Sequence, residues 1–311
     1  NRLSLKLVLL LYFVKQIIDK SLQYIICRFT GKTVSIKKSQ ALVLIDTFAS
    51  PNYYSNDRYY TGILDVLKEQ EKERVFFVPT LVSTRIRNLY ASYKELRSSS
   101  RKFVIKEDYL RFSDLLYACL HCFRISKVTT NKLTLFEINF SSIFLRELRN
   151  KEGYRMGIEN ILNYLFIKRL GDLNYEISLF IDWWEGQALD RGYSIGMHKF
   201  FPESIVKAYL GLIPSNIDSQ LSPTTYEAES LVVPDIFCVM GKGLVGTVKK
   251  LNKDQEVAVA PAFRFSHVWK KEIPKNKSEK NILIALPEQV SSSINILNRI
   301  SAFEDDHKEL N

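Results

Sequence analysis

One stretch of the chain concentrates side chains able to do chemistry: residues 176–192, which read EISLFIDWWEGQALDRG. Two carboxylates, Asp182 and Glu185, flank the adjacent indoles of Trp183 and Trp184, and Gln187, Asp190 and Arg191 follow at once. Unpaired carboxylates are costly to bury and indole is bulky, so this is a poor pattern for a core. It suits a rim that meets a ligand. Carboxylate, amide and guanidinium groups bond hydroxyls, and an indole face stacks on the C–H face of a sugar ring. Residues 177–181 are a short apolar run of the kind a buried parallel strand shows. The predicted strand therefore carries its polar tip to the carboxyl edge of a sheet, where α/β proteins bind ligands.

The same design recurs along the chain. Apolar runs at 41–49, 75–78, 205–210, 236–240 and 257–260 predict further strands. Helical spacing predicts helices over 85–101, 109–123, 136–170 (one or two) and 187–197, with an amphipathic helix through Tyr59, Tyr60, Ile63, Leu64 and Leu67. Alternating strands and helices predict an α/β fold, a Rossmann-like doubly wound parallel sheet. Asp46, Arg58, Thr80, Glu185, Gln187, Arg191, Tyr209, Thr224, Glu227 and Arg264 fall at or just past predicted strand ends. A parallel sheet would gather them on one rim. His267, in the aromatic and basic run FRFSH, joins them as a candidate. Helix capping explains Asp46 and Asp57 equally well, but it explains WWEGQ poorly.

A chain of 311 residues suits two domains, or one and part of another. Its 46% hydrophobic and 25% charged residues exclude a disordered or collagen-like class. Of the net charge of +10, residues 1–40 contribute +7, eight Lys/Arg against Asp19 alone. Basic residues interleaved with apolar ones fit a helix on an anionic membrane surface, and equally a solvated helix packed by one face. The apolar run 7–14 is far short of the ~20 residues a bilayer span needs, and no signal-peptide cleavage pattern follows it. Charge concentrated there, with aromatics at core positions elsewhere, argues against nucleic acid. Four cysteines without framework spacing predict reduced thiols and a cytoplasmic setting. Cys119, His121 and Cys122 sit in an apolar helical pattern and read as core.

Residues 241–246, GKGLVG, match a dinucleotide fingerprint as written. The acidic residue expected after the next strand is missing: Glu256 precedes that strand and Pro261 ends it. No dinucleotide cofactor is expected, although an oxidoreductase stays open as an alternative. No Asp–any–Asp triplet, GxSxG elbow, Walker loop or HExxH occurs, and no metal site is expected.

The blocks TFASPNYYSNDRYYTGIL, FVPTL, WWEGQALDRG, SPTTYEAE, VVPDIFCVMGKG, APAFRF and ILIALP resemble bacterial surface-carbohydrate biosynthesis proteins. These are regarded as GT-B-type glycosyltransferases for lipopolysaccharide or capsule. The likeness covers most of residues 41–300 in order. The family's aromatic–Glu–Asn–Gln motif stands here as Trp184–Glu185–Gly186–Gln187. The resemblance implies a Rossmann-like acceptor-side domain over 41–269, a linker over 270–280 and the start of a donor-side domain over 281–311. Such a chain alone should bind acceptor weakly and turn over nothing. It implies transfer from a nucleotide-sugar to a glycan or lipid-linked acceptor, with no cofactor; the cytoplasmic setting leaves a peripheral place at the inner membrane open through residues 1–40. Glu185 would be the base, with Asp182 as its alternative or as an acceptor holder. Gln187, Arg191 and Arg264 would orient acidic groups, and Trp183 or Trp184 would supply a stacking platform. Asp46, Arg58, Thr80, Tyr209, Glu227 and His267 complete the expected binding rim. A non-catalytic, membrane-associated polysaccharide assembly factor is the alternative.

Overall fold

Strands buried on both faces read as near-continuous apolar runs; five such runs pair in parallel here, with a mostly exposed edge strand as the sixth. They are β1 (Leu42–Ala49), β2 (Val75–Leu81), β3 (Ile177–Trp183), β4 (Ile205–Leu210), β5 (Ile236–Val239) and β6 (Glu256–Val259). In space their order is β2-β1-β3-β4-β5-β6. The chain steps outward from β1 to β2, then returns to lay β3 on the other side of β1. The topological switch point therefore lies between β1 and β3. The computed structural model describes residues 2–31, 34–38, 40–50, 53–54, 57–81, 84–129, 133–135, 137–213, 219–270, 284, 286 and 289–306.

The longer helices are α1 (Arg2–Phe29), α2 (Leu89–Ser98), α3 (Phe112–Cys119), α4 (Lys151–Asp172) and α5 (Ala188–Phe200). A short α6 (Thr225–Glu229) and a later α7 (Val290–Asp306) follow. One sheet face packs Leu44, Val78, Phe180 and Val206 against apolar residues of α3, α4 and α5. The other packs Ile45, Phe77, Trp183 and Tyr209 against Tyr54, Tyr60, α2 and Cys27 of α1. The sheet and α1 to α6 belong to one compact unit, Asn1–Val268, and α7 belongs to a second, Trp269–Asn311.

One expectation changes. The helix predicted through 59–67 is a single 3-10 turn, Ile63–Val66, because Gly62 at φ 82° turns the chain out of helical geometry. Phe103 makes a single parallel bridge to Phe77. Of the one or two helices expected over 136–170 there are two, Ser141–Leu148 and α4, because the Asn150 side chain accepts a hydrogen bond from the Gly153 N–H at 2.6 Å and restarts the helix there. The predicted linker over 270–280 lies almost wholly outside the described residues. All four cysteines are free, and no described helix is long and apolar enough to cross a membrane.

Candidate active site at the switch point

Side chains alternate across a strand, so Asp46 of β1, Thr80 of β2 and Asp182 of β3 emerge on the same sheet face as Leu44, Val78 and Phe180. The register sets Ile45 beside Ile181, which brings Asp46 and Asp182 together on adjacent strands. Asp190, from the first turn of α5, closes the group, and all three aspartates are fully buried. Thr80 Oγ1 donates to Asp46 Oδ1 (3.2 Å), and the N–H groups of Gln187 (2.8 Å) and Glu185 (3.2 Å) donate to Asp190 Oδ2. Among the described residues, both oxygens of Asp182 lack a hydrogen-bond partner, as do the hydroxyls of Tyr60 and Tyr193. Tyr193 lies close enough to steady the Asp46 charge, though without good hydrogen-bond geometry. Burial pushes Asp46 up to about 7 and Asp190 up to about 8. Burial also holds Asp182 well above the carboxylate range, and Asp190 and Asp46 raise it further. Three crowded carboxyls cannot all ionise, so they keep protons at neutral pH.

Beyond Asp182 the chain turns outward. Trp183 is buried edge-on beneath Tyr59 (ring centroids 4.4 Å apart), with Tyr60 and Tyr209 each at 5.6 Å. A Cβ at Gly211 would come within 1.9 Å of the Trp183 ring, so that position must be glycine. Trp184 points the other way, into a core with Phe237. With both indoles buried, the stacking platform expected of them is absent. The half-buried Tyr59 ring stands in its place.

Glu185 is held from both sides. Trp183 Nε1–H donates to its Oε1 (2.9 Å) and Gln187 Nε2–H to its Oε2 (2.7 Å). Gly186 between them has φ +69°, and a Cβ there would meet the Gln220 carbonyl oxygen at 2.0 Å. This left-handed region favours Gly and, next, Asn. Arg191 reaches back to the carbonyls of Gly186 (2.9 Å) and Gln187 (2.8 Å) and pairs with Glu227 (2.5 Å). Glu227 also caps α6 through Thr224. Arg191 and Glu227 therefore clamp the loop that carries Glu185, instead of facing a ligand.

Glu185, Gln187 and Thr80 open onto a cavity of about 540 Å³ that Phe48 and Tyr59 also line. Its far wall comes from other elements: Lys20 and Gln23 of α1, Lys106 and Glu107, and Glu159 of α4. Lys106 is buried and donates to Glu159 Oε2 (3.1 Å) and Asn163 Oδ1 (3.0 Å), and Lys20 pairs with the same Glu159. Burial works to raise the Glu159 carboxyl, but the two lysines outweigh it and hold the group far below its ordinary value. Gln23 Nε2–H donates to Glu107 Oε1 (2.7 Å), whose pKa burial raises.

A second cavity, of about 760 Å³, collects Arg58, Arg264 and His267 with Tyr60, Asp57 and Arg101. Asp57 accepts the N–H groups of Tyr59 (2.6 Å) and Tyr60 (2.9 Å) and pairs with Arg101. The guanidinium of Arg58 lies 5.9 Å from the Tyr59 ring centre, and that of Arg264 lies 5.8 Å from it. Among the described residues neither has a carboxylate partner. Tyr209 holds this side in place: its hydroxyl donates to the Pro261 carbonyl (2.8 Å) and accepts the Phe263 N–H (3.1 Å).

No family model, curated protein or solved structure matches the chain.

The predicted rim thus divides in three. Glu185, Gln187 and Thr80 meet in one cavity, while Arg58, Arg264 and His267 meet in the other. Asp46, Asp182, Trp183, Trp184, Tyr209, Arg191 and Glu227 line neither and support the loops from behind. Burial of Asp182 also takes it out of reach as an alternative base. Lys20, Lys106, Glu107 and Glu159 escaped the sequence reading. Their one local signal is the polar pair Glu159 and Asn163, four apart on a helix whose neighbours Ile158, Leu162 and Phe166 are core. In the GKGLVG turn, Gly241 is extended (φ −179°), and a Cβ at Gly241, Gly243 or Gly246 would touch nothing within 4 Å. Among the described residues no group of three His, Cys, Asp or Glu side chains is placed to hold a metal ion.

Proposed function

We propose that the Glu185 cavity is the acceptor site of a glycosyltransferase that moves a sugar from a nucleotide-sugar to a surface-polysaccharide acceptor. One observation carries this reading: a carboxylate braced by an indole and an amide opens onto a cavity at the switch point of a parallel sheet. The sequence resemblance points the same way. An acceptor hydroxyl within about 2.6–3.2 Å of Glu185 gives up its proton to that carboxylate as its oxygen attacks the anomeric carbon. The bond from that carbon to the nucleotide breaks, and the nucleoside diphosphate leaves with the electron pair. Gln187 and Trp183 keep the base in line, and Tyr59 supplies an aromatic face. Arg58 and Arg264, without acidic partners among the described residues, suit a phosphate or uronate group beside the sugar.

The test is Glu185→Gln in the full-length protein with a nucleotide-sugar and acceptor glycans. Transfer should fall by about 10²–10⁴-fold with thermal unfolding unchanged. Near-normal turnover removes Glu185 from the role. If no form of the protein transfers sugar while glycan binding persists, the cavity is a binding module instead.

A further inference from the structure

The outward face of α1 is apolar along its length. Leu7, Leu11, Val14, Ile18, Ile25 and Phe29 are all exposed, Leu11 at 61% and Phe29 at 77%. At 3.6 residues per turn they fall within an arc of roughly 60°. The opposite face already packs on the protein, burying Leu9 and Cys27 beside polar contacts: Gln16 is buried, Lys20 pairs with Glu159, and Gln23 bonds Glu107. A helix that merely docks on a core carries one apolar stripe, turned inward; α1 carries a second, turned outward. A continuous exposed stripe of this kind marks an interaction site.

Charge selects the occupant. Lys15 and Arg28 flank the stripe, one on each side: the Lys15 side chain is 70% exposed beside Asp19 (3.3 Å), and Arg28 donates to the carbonyls of Asp108 and Leu110. Residues 1–40 carry eight Lys/Arg against one Asp. A second copy of this chain would bring like charge against like charge on that face. An anionic lipid surface offers both an apolar interior for the stripe and negative headgroups for the flanks.

We propose that α1 lies in the surface of an anionic bilayer, apolar face down, and holds the Glu185 cavity at the membrane through Lys20 and Gln23 on its other face. Docking follows from α1 alone. Only the further step, that the acceptor is lipid-linked, rests on the sugar-transfer reading.

Co-sedimentation of the full chain with vesicles tests this, using phosphatidylcholine alone or mixed with phosphatidylglycerol. Binding should require the anionic lipid and weaken as salt screens it. The triple substitution Leu11→Glu, Ile18→Glu and Ile25→Glu should cut partitioning by at least about a hundredfold with circular dichroism and melting unchanged, since these side chains face solvent. Lys15→Gln should cost roughly fivefold. Equal binding to neutral vesicles, no binding to either, or wild-type binding by the triple variant overturns the proposal. So does a concentration-dependent dimer that the triple variant dissociates, because the stripe then belongs to a second copy. Glu185→Gln should leave vesicle binding unchanged, so docking and transfer can fail separately.

Discussion

The two cavities on either side of Tyr59 commit their charges differently. In the first, Lys20 and Lys106 share Glu159, and Arg155 pairs with Glu152. Its lysines are neutralised by Glu159 of the same wall and Arg155 by the neighbouring Glu152, while Glu185, which faces the same space, accepts from two neutral donors. In the second, Arg101 is matched by Asp57, but Arg58 and Arg264 lie on aromatic rings without an acid among the described residues. A wall of neutralised pairs offers shape and one usable base. A wall with spare guanidinium groups offers attraction for anions. The first cavity is therefore suited to proton transfer and the second to holding negative charge.

The sharpest way to break this comparison is kinetic. Glu185→Gln should lower kcat by about 10²–10⁴-fold, while Arg264→Ala should act mainly through KM; equal effects on kcat would merge the two roles. Stability should separate the walls next. Lys106→Met leaves the partly buried Glu159 with Lys20 alone and should cost about 1–3 kcal/mol in urea unfolding. The aspartates behind the first cavity predict a pH signature. Their folded pKa values lie above the ordinary ~3.9, so the folded state binds extra protons; stability is full below that value and falls as pH rises through about 7 to 8. Asp182→Asn should therefore stabilise the protein at alkaline pH, a gain that vanishes in acid. An unchanged profile would mean that the cluster does not hold its protons. Smallest is the effect of Arg58→Ala on folding, under about 1 kcal/mol, because an exposed cation–π contact contributes no more.

Much of the fold is legible because parallel strands buried on both faces leave unbroken apolar runs, as in LVLI before Asp46 and ISLFI before Asp182. The position of Glu185 at a strand tip follows from the same pattern. What fails is anything decided between distant segments. Trp183 looks like a platform in sequence, yet Gly211 and Tyr209 on the next strand make a slot that swallows it. Lys106 and Glu159 meet across 53 residues, and neither advertises its partner. Arg191 and Glu227 both sit where a ligand group would, and only their mutual pairing shows that each is already occupied. The Gly62 turn illustrates a local miss: the apolar spacing of residues 59–67 is helical, but one left-handed residue overrides it.

The edge-on contact of Tyr59 with Trp183 has an optical consequence. Tyr59 borders the first cavity, carries both unpaired arginines of the second on its ring, and leans on an indole sealed from solvent. A ligand that presses on this phenol in the first cavity alters the surroundings of that indole. With Trp184 and Trp269 replaced by Phe, the emission of Trp183 becomes a gauge of that occupancy, readable without a label.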